Sequence, residues 1–393
     1  MKKIFFLRAG YETNSAAFNR LLTIMKAVKM GGFEVELINV RPFPEKRVGD
    51  FDFSGKYTYQ IDGIAARVIK FRSETSGSGI KRVFSSLAAT REYLREAGKD
   101  NSVVYLYSVN FFEMLFFYFA TKKLGMFYMT ERSEYPELVR NSRGIKSKLY
   151  KALVLPFLYR IFDGILLMTN TLVRFYSGYL RKDCKIIHIP MTVDGDRFEG
   201  NFAKEDYIAY IGSLNCKKDG LDILLRSLAV VKINFPDVKL KIAGGTNNKA
   251  EEDYLIKLRN DLELQKNVEF TGWVNREEVI PFLKKAKLLV LPRPASKQSE
   301  GGFPTKLGEY LLSGNPVIVT SVGEIPEYLT DQKNCYLIVP GDQNSLTEAL
   351  KSSLKNYEQA SKIGANGKEF ALSTFDYKVN IPKLKEYFLT IQD

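Results

Sequence analysis

Short apolar runs rich in β-forming residues alternate with amphipathic stretches of helical period along almost the whole chain. Such runs include IFFLR (4–8) and VELINV (35–40) in the first half, and VKLKIAG (238–244) and KLLVLP (287–292) in the second. Between the runs, apolar residues recur at spacings of three and four, as in GLDILLRSLAVVKINFP, which is typical of helices. This alternation predicts an α/β protein whose parallel sheets are covered by helices on both faces.

The alternation occurs twice, on either side of a polar stretch without an apolar period, MTVDGDRFEGNFAKED (191–206). A chain of 393 residues is too long for one ordinary core. We therefore predict two doubly wound, Rossmann-like domains that face a cleft, residues 1–193 and 194–374, with the amphipathic segment 375–393 crossing back onto the first domain. Ligands of open α/β sheets bind outside the carboxyl ends of the strands, so this cleft is the predicted site.

The net charge of +13 indicates an anionic partner: a nucleic acid, an anionic lipid or a phosphorylated small molecule. The sequence has no zinc-finger spacing and no RNA-recognition signature, so we expect no nucleic-acid partner. The three cysteines, Cys184, Cys216 and Cys335, have neither metal-ligand nor redox spacing. Widely separated, reduced thiols are typical of a cytoplasmic protein.

A basic stretch without acidic residues, RNSRGIKSKLYK (140–151), leads into an apolar run that charged residues and a proline interrupt. No apolar run reaches the ~18 residues that a membrane-spanning helix needs. The pattern is typical of an amphipathic helix that lies on an anionic membrane surface, here the inner face of the membrane. A solvated basic face on a buried helix would give the same pattern.

The stretch GGFPTKLGEYLLSG (301–314) indicates a glycine turn that opens a helix. Pro304 suits the first helical turn, Thr305 suits a position near the cap, and Gly314 is the expected C-terminal stop. The free amides at the start of such a helix point outward and bind anions. Because two glycines let a ligand approach the backbone closely, we expect residues 303–306 to contact an anionic group.

Glu309 lies about 6 Å beyond the start of this helix by helix rise. A carboxylate at that depth can accept hydrogen bonds from both hydroxyls of a ribose while the amides and Lys306 hold its diphosphate, although an ordinary helix start with a surface glutamate fits equally well. A second glycine turn, YIGSLNCKKDG (210–220), places Lys217 and Lys218 at a helix entrance. A lysine there can neutralise charge on a leaving phosphate, and two solvated lysines are the alternative.

These motifs, together with HIPMTVDGDRF (188–198) and VEFTGWVNREEVIPFLKKAKLLVLP (268–292), resemble the retaining glycosyltransferases of family 4 over nearly the whole chain and in the same order. The resemblance implies the GT-B fold and the transfer of a sugar, with retention, from a nucleotide-diphosphate sugar, which we expect to be a UDP-sugar. The acceptor is expected to be a glycan or a lipid-linked sugar in the synthesis of a surface polysaccharide or glycolipid. We expect no cofactor and no metal, because no Asp-x-Asp arrangement lies beside the phosphate-binding turns.

By this resemblance, Glu309 matches the glutamate that holds the ribose, and Lys218 matches the lysine that binds the donor diphosphate in catalysis. The family's first motif glutamate would fall on Gly301, so either Glu300 takes its role or backbone amides alone hold the sugar. Ser213 stands where the family often has an arginine, a role that Arg293 or Lys306 is expected to take. The predicted donor-binding residues are Gly212, Ser213, Lys218, Arg293, Glu300, Gly301, Gly302, Phe303, Pro304, Thr305, Lys306 and Glu309.

In the first domain, which is expected to bind the acceptor, FYMTERSEYPE (127–137) stands where many relatives carry a histidine. Glu131 is the expected catalytic residue there, near the reacting sugar, although a buried carboxylate paired with Arg132 fits as well. The single histidine, His188, lies on an apolar strand and is expected to be structural. The turn RAGYETN (8–14) suggests acceptor contacts, from residues Gly10, Glu12 and Asn14, or only a turn that the fold needs.

Two further hypotheses remain open from the sequence. The protein could be a catalytically silent partner of the same fold that binds nucleotide sugar or membrane, which the departures at Gly301 and Ser213 favour. It could also be a nucleotide-sugar epimerase of the same two-domain plan. The presence of both Lys218 and Glu309 favours the transferase over these alternatives.

Overall fold

The computed structural model describes residues 2–10, 15–44, 48–49, 51–75, 78–98, 101–137, 139 and 144–391. The chain forms two compact units. The first unit contains residues Met1–Pro190 and Tyr377–Asp393, and the second contains Met191–Asp376. Each unit is an α/β structure built on its own sheet, as the alternation of strands and helices predicts.

The first unit is built on a nine-stranded sheet of order β3-β4-β5-β2-β1-β6-β7-β8-β9. Strands β3, β4 and β5 pair antiparallel, and every other neighbouring pair is parallel. The strands are β1 Lys3–Arg8, β2 Glu34–Asn39, β3 Asp52–Phe53, β4 Thr58–Ile61, β5 Ile64–Val68, β6 Val103–Tyr107, β7 Phe127–Arg132, β8 Gly164–Leu167 and β9 Lys185–His188.

Helices cover both faces of this sheet, so strand β1 is buried along its whole length. Ile4 and Phe6 belong to one apolar cluster, whereas Phe5 and Leu7 belong to a second, because successive side chains of a strand point to opposite faces. The described helices of this unit are Ala16–Met30, Gly79–Ala97, Phe111–Leu124, Ile145–Leu149, the π-helix Tyr150–Val154, Leu155–Tyr159, Asn170–Ser177, the 3₁₀-helix Tyr377–Asn380 and Ile381–Thr390.

The C-terminal helix, Ile381–Thr390, completes one of the two cores of the first unit. Its buried residues Leu384, Tyr387 and Phe388 join the cluster that contains Ile4. The rings of Phe33 and Phe388 lie 5.6 Å apart, and the Lys2 ammonium donates a hydrogen bond to the Phe388 carbonyl. The helix is therefore an integral part of the first unit.

The second unit is built on a six-stranded, wholly parallel sheet of order β12-β11-β10-β13-β14-β15. The strands are β10 Ile208–Ile211, β11 Leu240–Ala243, β12 Val268–Gly272, β13 Leu288–Leu291, β14 Val317–Thr320 and β15 Tyr336–Ile338. The helices are the 3₁₀-helix Gly195–Phe198, Cys216–Asp219, Leu221–Asn234, Lys249–Asp261, Arg276–Lys285, Lys297–Gly301, Thr305–Leu312, Ile325–Tyr328, Gln343–Lys355 and Tyr357–Thr374.

Among the described residues, no helix has both the length and the apolar character that crossing a membrane requires. The basic stretch 140–151 is described from residue 144, where it forms the start of the Ile145–Leu149 helix. This helix continues into the segments Tyr150–Val154 and Leu155–Tyr159.

Candidate active site

The two glycine turns of the second unit meet where the neighbouring strands β10 and β13 end. Gly220 ends the Cys216–Asp219 helix with φ +71°, and a β-carbon at this position would lie 2.1 Å from the Pro292 carbonyl oxygen. Only glycine fits there, because its backbone must combine a left-handed conformation with close approach to β13. The topology thus joins the turn after β10 to the loop after β13.

A buried carboxylate, Asp219, connects these loops. It accepts hydrogen bonds from the Ser213 hydroxyl at 2.9 Å and from the Lys306 ammonium at 3.3 Å, and the Arg293 Nε lies 3.8 Å from it. Asp219 is only 1% exposed, so these partners are needed to keep its charge in the interior. The Asp219 cluster, defined as Asp219, Ser213, Lys306 and Arg293, contains three of the predicted donor-binding residues.

The charges of the cluster act on one another. Burial by itself raises the pKa of Asp219, but the Lys306 and Arg293 charges and the Ser213 hydrogen bond hold this pKa below its ordinary value. Burial lowers the pKa of Lys306 to about 8, against the attraction of Asp219 and in the same direction as the repulsion from Arg293 and Lys218. An arriving anion would favour the charged form of Lys306, because opposite charges stabilise each other.

The Lys306 side chain lies directly against the β10 turn. Its ammonium donates to the Tyr210 hydroxyl at 3.0 Å, and this hydroxyl donates to the Ser213 carbonyl at 2.9 Å. A β-carbon on Gly212 would lie only 2.0 Å from the Lys306 Nζ. A side chain at position 212 would therefore have to displace the end of the lysine from this place.

The predicted helix after the GGFPT turn is present as Thr305–Leu312, and Gly314 follows it with φ +75°. Leu307 and Leu311 are fully buried, as their spacing predicts, and the Tyr310 hydroxyl accepts a hydrogen bond from the Ile211 amide at 2.8 Å. These contacts fix the helix against the end of β10, so the position of its first turn is rigidly defined.

The turn that leads into this helix is also held in place. Gly301, Gly302, Phe303 and Pro304 are buried, and the Phe303 ring packs against the rings of Tyr328 and Phe375. Thr305 is half-buried at the first position of the helix. The side chain of Phe303 thus belongs to the core, so any contact that it makes with a ligand would involve its backbone.

Glu309 is half-buried one turn inside the helix. Its carboxylate lies 3.9 Å from the guanidinium of Arg197, in the 3₁₀-helix Gly195–Phe198. The chain can come this close because residue 308 is glycine: a β-carbon there would lie 2.4 Å from Val193. Arg197 therefore neutralises Glu309 in part while leaving it at the protein surface.

Glu300, the proposed substitute for the missing first motif glutamate, is exposed at the end of the short Lys297–Gly301 helix. Its carboxylate pairs with Lys297 at 3.0 Å, one helical turn earlier. Gly301 is buried, and Gly323 allows the next loop to pack closely against the Ser299 and Gly302 carbonyls. The backbone of Gly301 and the side chain of Glu300 are neighbours in the same turn. Either of them could hold the sugar of the donor.

The exposed side chain of Lys218 stands beside the Asp219 cluster. Its charge helps to lower the pKa values of both Asp219 and Lys306, after the larger effects of burial and of the nearer charges. The Lys218 carbonyl lies 3.5 Å from the Arg293 Nε. The site thus gathers three cations, two of them bound to one buried carboxylate and one open to solvent.

In the first unit, Glu131 is buried at the end of β7 and is paired with Arg20 rather than with Arg132. Its second carboxylate oxygen accepts a hydrogen bond from the Tyr105 hydroxyl at 2.6 Å. Arg132 instead donates to the Tyr159 and Thr130 hydroxyls. Both oxygens of Glu131 therefore have protein partners, although the residue also lines a cavity of about 710 Å³.

Of the residues predicted to contact the acceptor, Gly10 lines two cavities of the first unit, the one that includes Glu131 and a smaller one rich in arginine. Glu12 and Asn14 lie outside the described residues. A ring nitrogen of His188 lies 3.2 Å from the Met168 carbonyl, a contact within the fold of the first unit.

One part of the chain matches a known protein family. Residues 194–370 match the sequence profile of a family described as glycosyl transferases group 1. This part of the chain is therefore similar to that family. All of the predicted donor-binding residues, from Gly212 to Glu309, lie inside this group 1 region, as does the Asp219 cluster.

Two curated relatives illustrate the similarity of sequence. An uncharacterized glycosyltransferase of Methanocaldococcus jannaschii is 32% identical over 162 residues, which are 41% of this chain and 42% of that protein. A GDP-mannose-dependent alpha-(1-6)-phosphatidylinositol monomannoside mannosyltransferase of Mycolicibacterium smegmatis is 26% identical over 236 residues, which are 54% of this chain and 61% of that protein. The matched part of the chain spans about half the length of these relatives.

The fold extends beyond the group 1 region. The crystal structure of Anabaena HepE in complex with UDP and glucose covers 99% of this chain and 100% of its own, with a TM-score of 0.73 and 15% identity. The chain therefore has the GT-B fold that the sequence motifs imply, with the group 1 region as its second unit.

Sequence reasoning missed three residues of the candidate site in the second unit: Asp219, Tyr210 and Arg197. Asp219 directly follows Lys218, and a carboxylate beside two lysines in a glycine turn is a signal that could have identified it. Arg197 lies in the DGDRF motif, which was noted without a partner. Tyr210 lies on a strand and gives no local signal of its role.

Proposed function

We propose that the protein is a retaining glycosyltransferase of family 4, which moves a sugar from a nucleotide-diphosphate sugar to a glycan or lipid-linked acceptor. The observation that carries this proposal is the meeting of three cations with the first turn of the Thr305–Leu312 helix around Asp219. Cations beside the start of a helix favour the binding of an anionic group such as a diphosphate. The match of residues 194–370 to the group 1 family supports the class of reaction.

Glu309 gives the proposed site its second ligand-binding feature. It lies four residues after Thr305 and on the same helix face, about one turn from the helix start. A ribose bound beyond the diphosphate could donate both hydroxyls to this carboxylate. Arg197, 3.9 Å away, places a positive charge beside this carboxylate.

In the proposed reaction, the bond between the sugar and the diphosphate breaks and a bond from the acceptor oxygen forms on the same face of the sugar. Negative charge develops on the departing phosphate oxygen, where we assign stabilisation to Lys218 and the backbone amides of Phe303, Thr305 and Lys306. The proton of the acceptor hydroxyl passes to that phosphate oxygen, so the proposal requires neither a protein base nor a metal. Glu131 stays the candidate residue nearest the reacting sugar.

We further propose a UDP-sugar as the donor and the first unit as the place where the acceptor binds. The fold similarity to HepE, which was crystallised with UDP and glucose, supports a uridine nucleotide. The sequence similarity to a GDP-mannose-dependent enzyme supports guanosine as the alternative base. The proposed products are a surface polysaccharide or a glycolipid, made at the cytoplasmic face of a membrane.

The nucleotide site is tested by the thermal stability of the protein with UDP, GDP, ADP or TDP. We expect one of them, UDP by this proposal, to stabilise the second unit by about 2.7 kcal/mol at 100 times its Kd. For a unit of this size the melting temperature should rise by roughly 5–10 °C. The Glu309→Ala variant should lose most of this rise, and addition of a chelator should not change it.

The matched control for this experiment is Glu348→Ala. Glu348 is an exposed glutamate of the same unit that pairs with Lys351 on its own helix, so its removal should leave the nucleotide response intact. Equal responses in wild type and Glu309→Ala would remove Glu309 from the site. No response to any nucleotide would favour a catalytically silent partner that binds a membrane and not a nucleotide sugar.

A membrane-facing surface is proposed on the first unit, where apolar side chains stand exposed beside basic ones. Phe112 and Phe119 are 70% and 66% exposed on the Phe111–Leu124 helix, and Leu153 and Phe157 are 63% and 59% exposed on the segment after residue 150. Tyr118, Leu153 and Phe157 line one shallow groove, so the two helical segments adjoin. The exposed lysines 146, 148 and 151 flank this apolar surface.

We expect the protein to sediment with vesicles of phosphatidylglycerol and to bind vesicles of phosphatidylcholine weakly, because the surface is both apolar and basic. The Leu153→Ser/Phe157→Ser variant should bind phosphatidylglycerol at least severalfold less. Ile233→Ser, which changes a side chain that is 78% exposed on the second unit, is the control and should bind like wild type. Identical binding by all three proteins would contradict the proposed surface.

A further inference from the structure

A cavity of about 560 Å³ opens at the carboxyl end of β1 in the first unit. Three arginines line it, and none of the described residues that line it is acidic. The lining residues are Ala9, Gly10, Arg41, Pro42, Arg72, Gly79, Arg82 and Val83. The proposed donor-binding residues belong to the second unit, so the donor site does not account for this cavity.

One of the arginines is fixed in position by a buried partner. Arg41 forms an ion pair with Glu113, which is only 1% exposed and which also accepts a hydrogen bond from the Ser108 hydroxyl at 2.6 Å. The buried Glu113 thus orients Arg41, which itself lines the cavity. An arginine held in this way loses little conformational entropy when a ligand binds.

The other two arginines of the cavity wall are Arg72 and Arg82. Arg72 and Arg82 are exposed at the rim of the cavity, on either side of the Gly79–Ala97 helix start. The N-terminal end of a helix dipole is positive, like the guanidinium groups. The first turn of this 19-residue helix contains no acidic residue that would neutralise it. Guanidinium groups bind phosphate oxygens through paired hydrogen bonds, which suits three arginines around one cavity.

We infer that this arginine cavity, defined as the cavity lined by Arg41, Arg72 and Arg82, binds a phosphate or diphosphate group of the acceptor substrate. This inference rests on the proposed transferase function, in which the first unit binds the acceptor. Gly10 and Ala9 line both this cavity and the larger one that includes Glu131. An acceptor with its phosphate on the arginines therefore has adjoining space for its sugar.

The phosphate could belong to a soluble sugar phosphate or to a lipid-linked diphosphate, and the chemistry of recognition is the same for both. The exposed apolar side chains of the first unit belong to other residues, Phe112 and Leu153 among them. The arginine cavity itself thus recognises only the anionic group, and the two sources must be separated by experiment.

Binding of inorganic pyrophosphate to the full-length protein, measured by calorimetry, tests the inference. The donor site can also bind pyrophosphate, so each titration is made in the Lys218→Ala variant as well as in wild type. Replacing Arg72 and Arg82 together by glutamine should weaken one pyrophosphate site by about 10- to 100-fold in both backgrounds, because hydrogen bonds from charged donors are lost. The control replaces Arg91 and Arg95, exposed arginines of the same helix outside the cavity, and should bind like wild type.

Equal pyrophosphate affinity with and without Arg72 and Arg82 would overturn the inference. This result is independent of the nucleotide test, because nucleotide stabilisation should be unchanged in the Arg72→Gln/Arg82→Gln variant. An arginine-dependent site without any nucleotide response would overturn the proposed transferase and the acceptor role together, while leaving an anion site in the cavity.

The source of the phosphate is identified with two further probes, glucose 1-phosphate and farnesyl diphosphate in detergent. Arginine-dependent binding of glucose 1-phosphate indicates a soluble acceptor, whereas at least tenfold tighter binding of farnesyl diphosphate indicates a lipid-linked one. Binding of both probes that does not depend on Arg72 and Arg82 would contradict the proposed cavity.

Discussion

Replacing Lys218 by alanine is expected to slow sugar transfer by about 10²–10³-fold, the loss typical of removing one group that stabilises developing negative charge. The same replacement of Lys217 is expected to leave the rate within about twofold of wild type. Both lysines are exposed neighbours in the same short helix. Lys218 is among the charges that shift the pKa values of Asp219 and Lys306, so its charge lies near the proposed diphosphate.

The measurement is the release of nucleoside diphosphate from the donor sugar that the thermal experiment selects. A lysine that acts mainly on the leaving group should lower kcat, whereas one that only binds the donor should raise KM and leave kcat unchanged. Equal rates for Lys217→Ala and Lys218→Ala would contradict the assignment. That result would mean that Lys217 and Lys218 contribute only general positive charge, without a specific contact of Lys218 to the leaving group.

Replacing Glu131 by leucine is expected to lower the free energy of unfolding of the first unit by about 3–5 kcal/mol, the usual result of leaving one member of a buried ion pair alone. The charge left behind is that of Arg20, which is 1% exposed. Arg20 also donates hydrogen bonds to the carbonyls of Ile189 and Pro190, so it cannot move into solvent without losing them.

The Arg20→Leu/Glu131→Leu variant is the control, because removing both charges avoids the uncompensated arginine and should restore part of the stability. Unfolding by denaturant is followed by far-UV circular dichroism. The fluorescence of Trp273, the single tryptophan, serves as an internal reference because it reports on the second unit. A Glu131→Leu variant as stable as wild type would show that the carboxylate has no structural role.

Sugar transfer by the same two variants separates the two hypotheses for Glu131. If Glu131 acts on the reacting sugar, the double variant should fold and stay inactive. If Glu131 only balances the buried charge of Arg20, activity should return together with stability. This distinction could not be made from the sequence, where Arg132 was the obvious partner.

Local features of the fold could be predicted because local signals specify them. The bounds of the Thr305–Leu312 helix follow from a proline at its start and a glycine beyond its end, and its buried face follows from the spacing of Leu307 and Leu311. The two sheets, each covered by helices, likewise follow from the alternation of strands and helices.

The partners in the site could not be predicted, because they depend on the order of strands. Asp219 meets Lys306 and Arg293 only since β10 lies beside β13, two strands that are separated along the chain by β11 and β12. The Arg20–Glu131 pair similarly joins residues 111 positions apart. Patterns of hydrophobicity and capping do not encode such neighbours.

The C-terminal helix of the first unit has a consequence for how the protein is made. Residues 191–376 form an uninterrupted unit that is inserted into the first, whose core is completed by Leu384, Tyr387 and Phe388. During synthesis, the ribosome produces the whole inserted unit before these residues, a delay of roughly 10–40 s at usual rates. Throughout that interval, the groove that will receive the helix, including Phe33, stays uncovered. The nascent first unit is therefore the part of the chain that most needs protection by a chaperone.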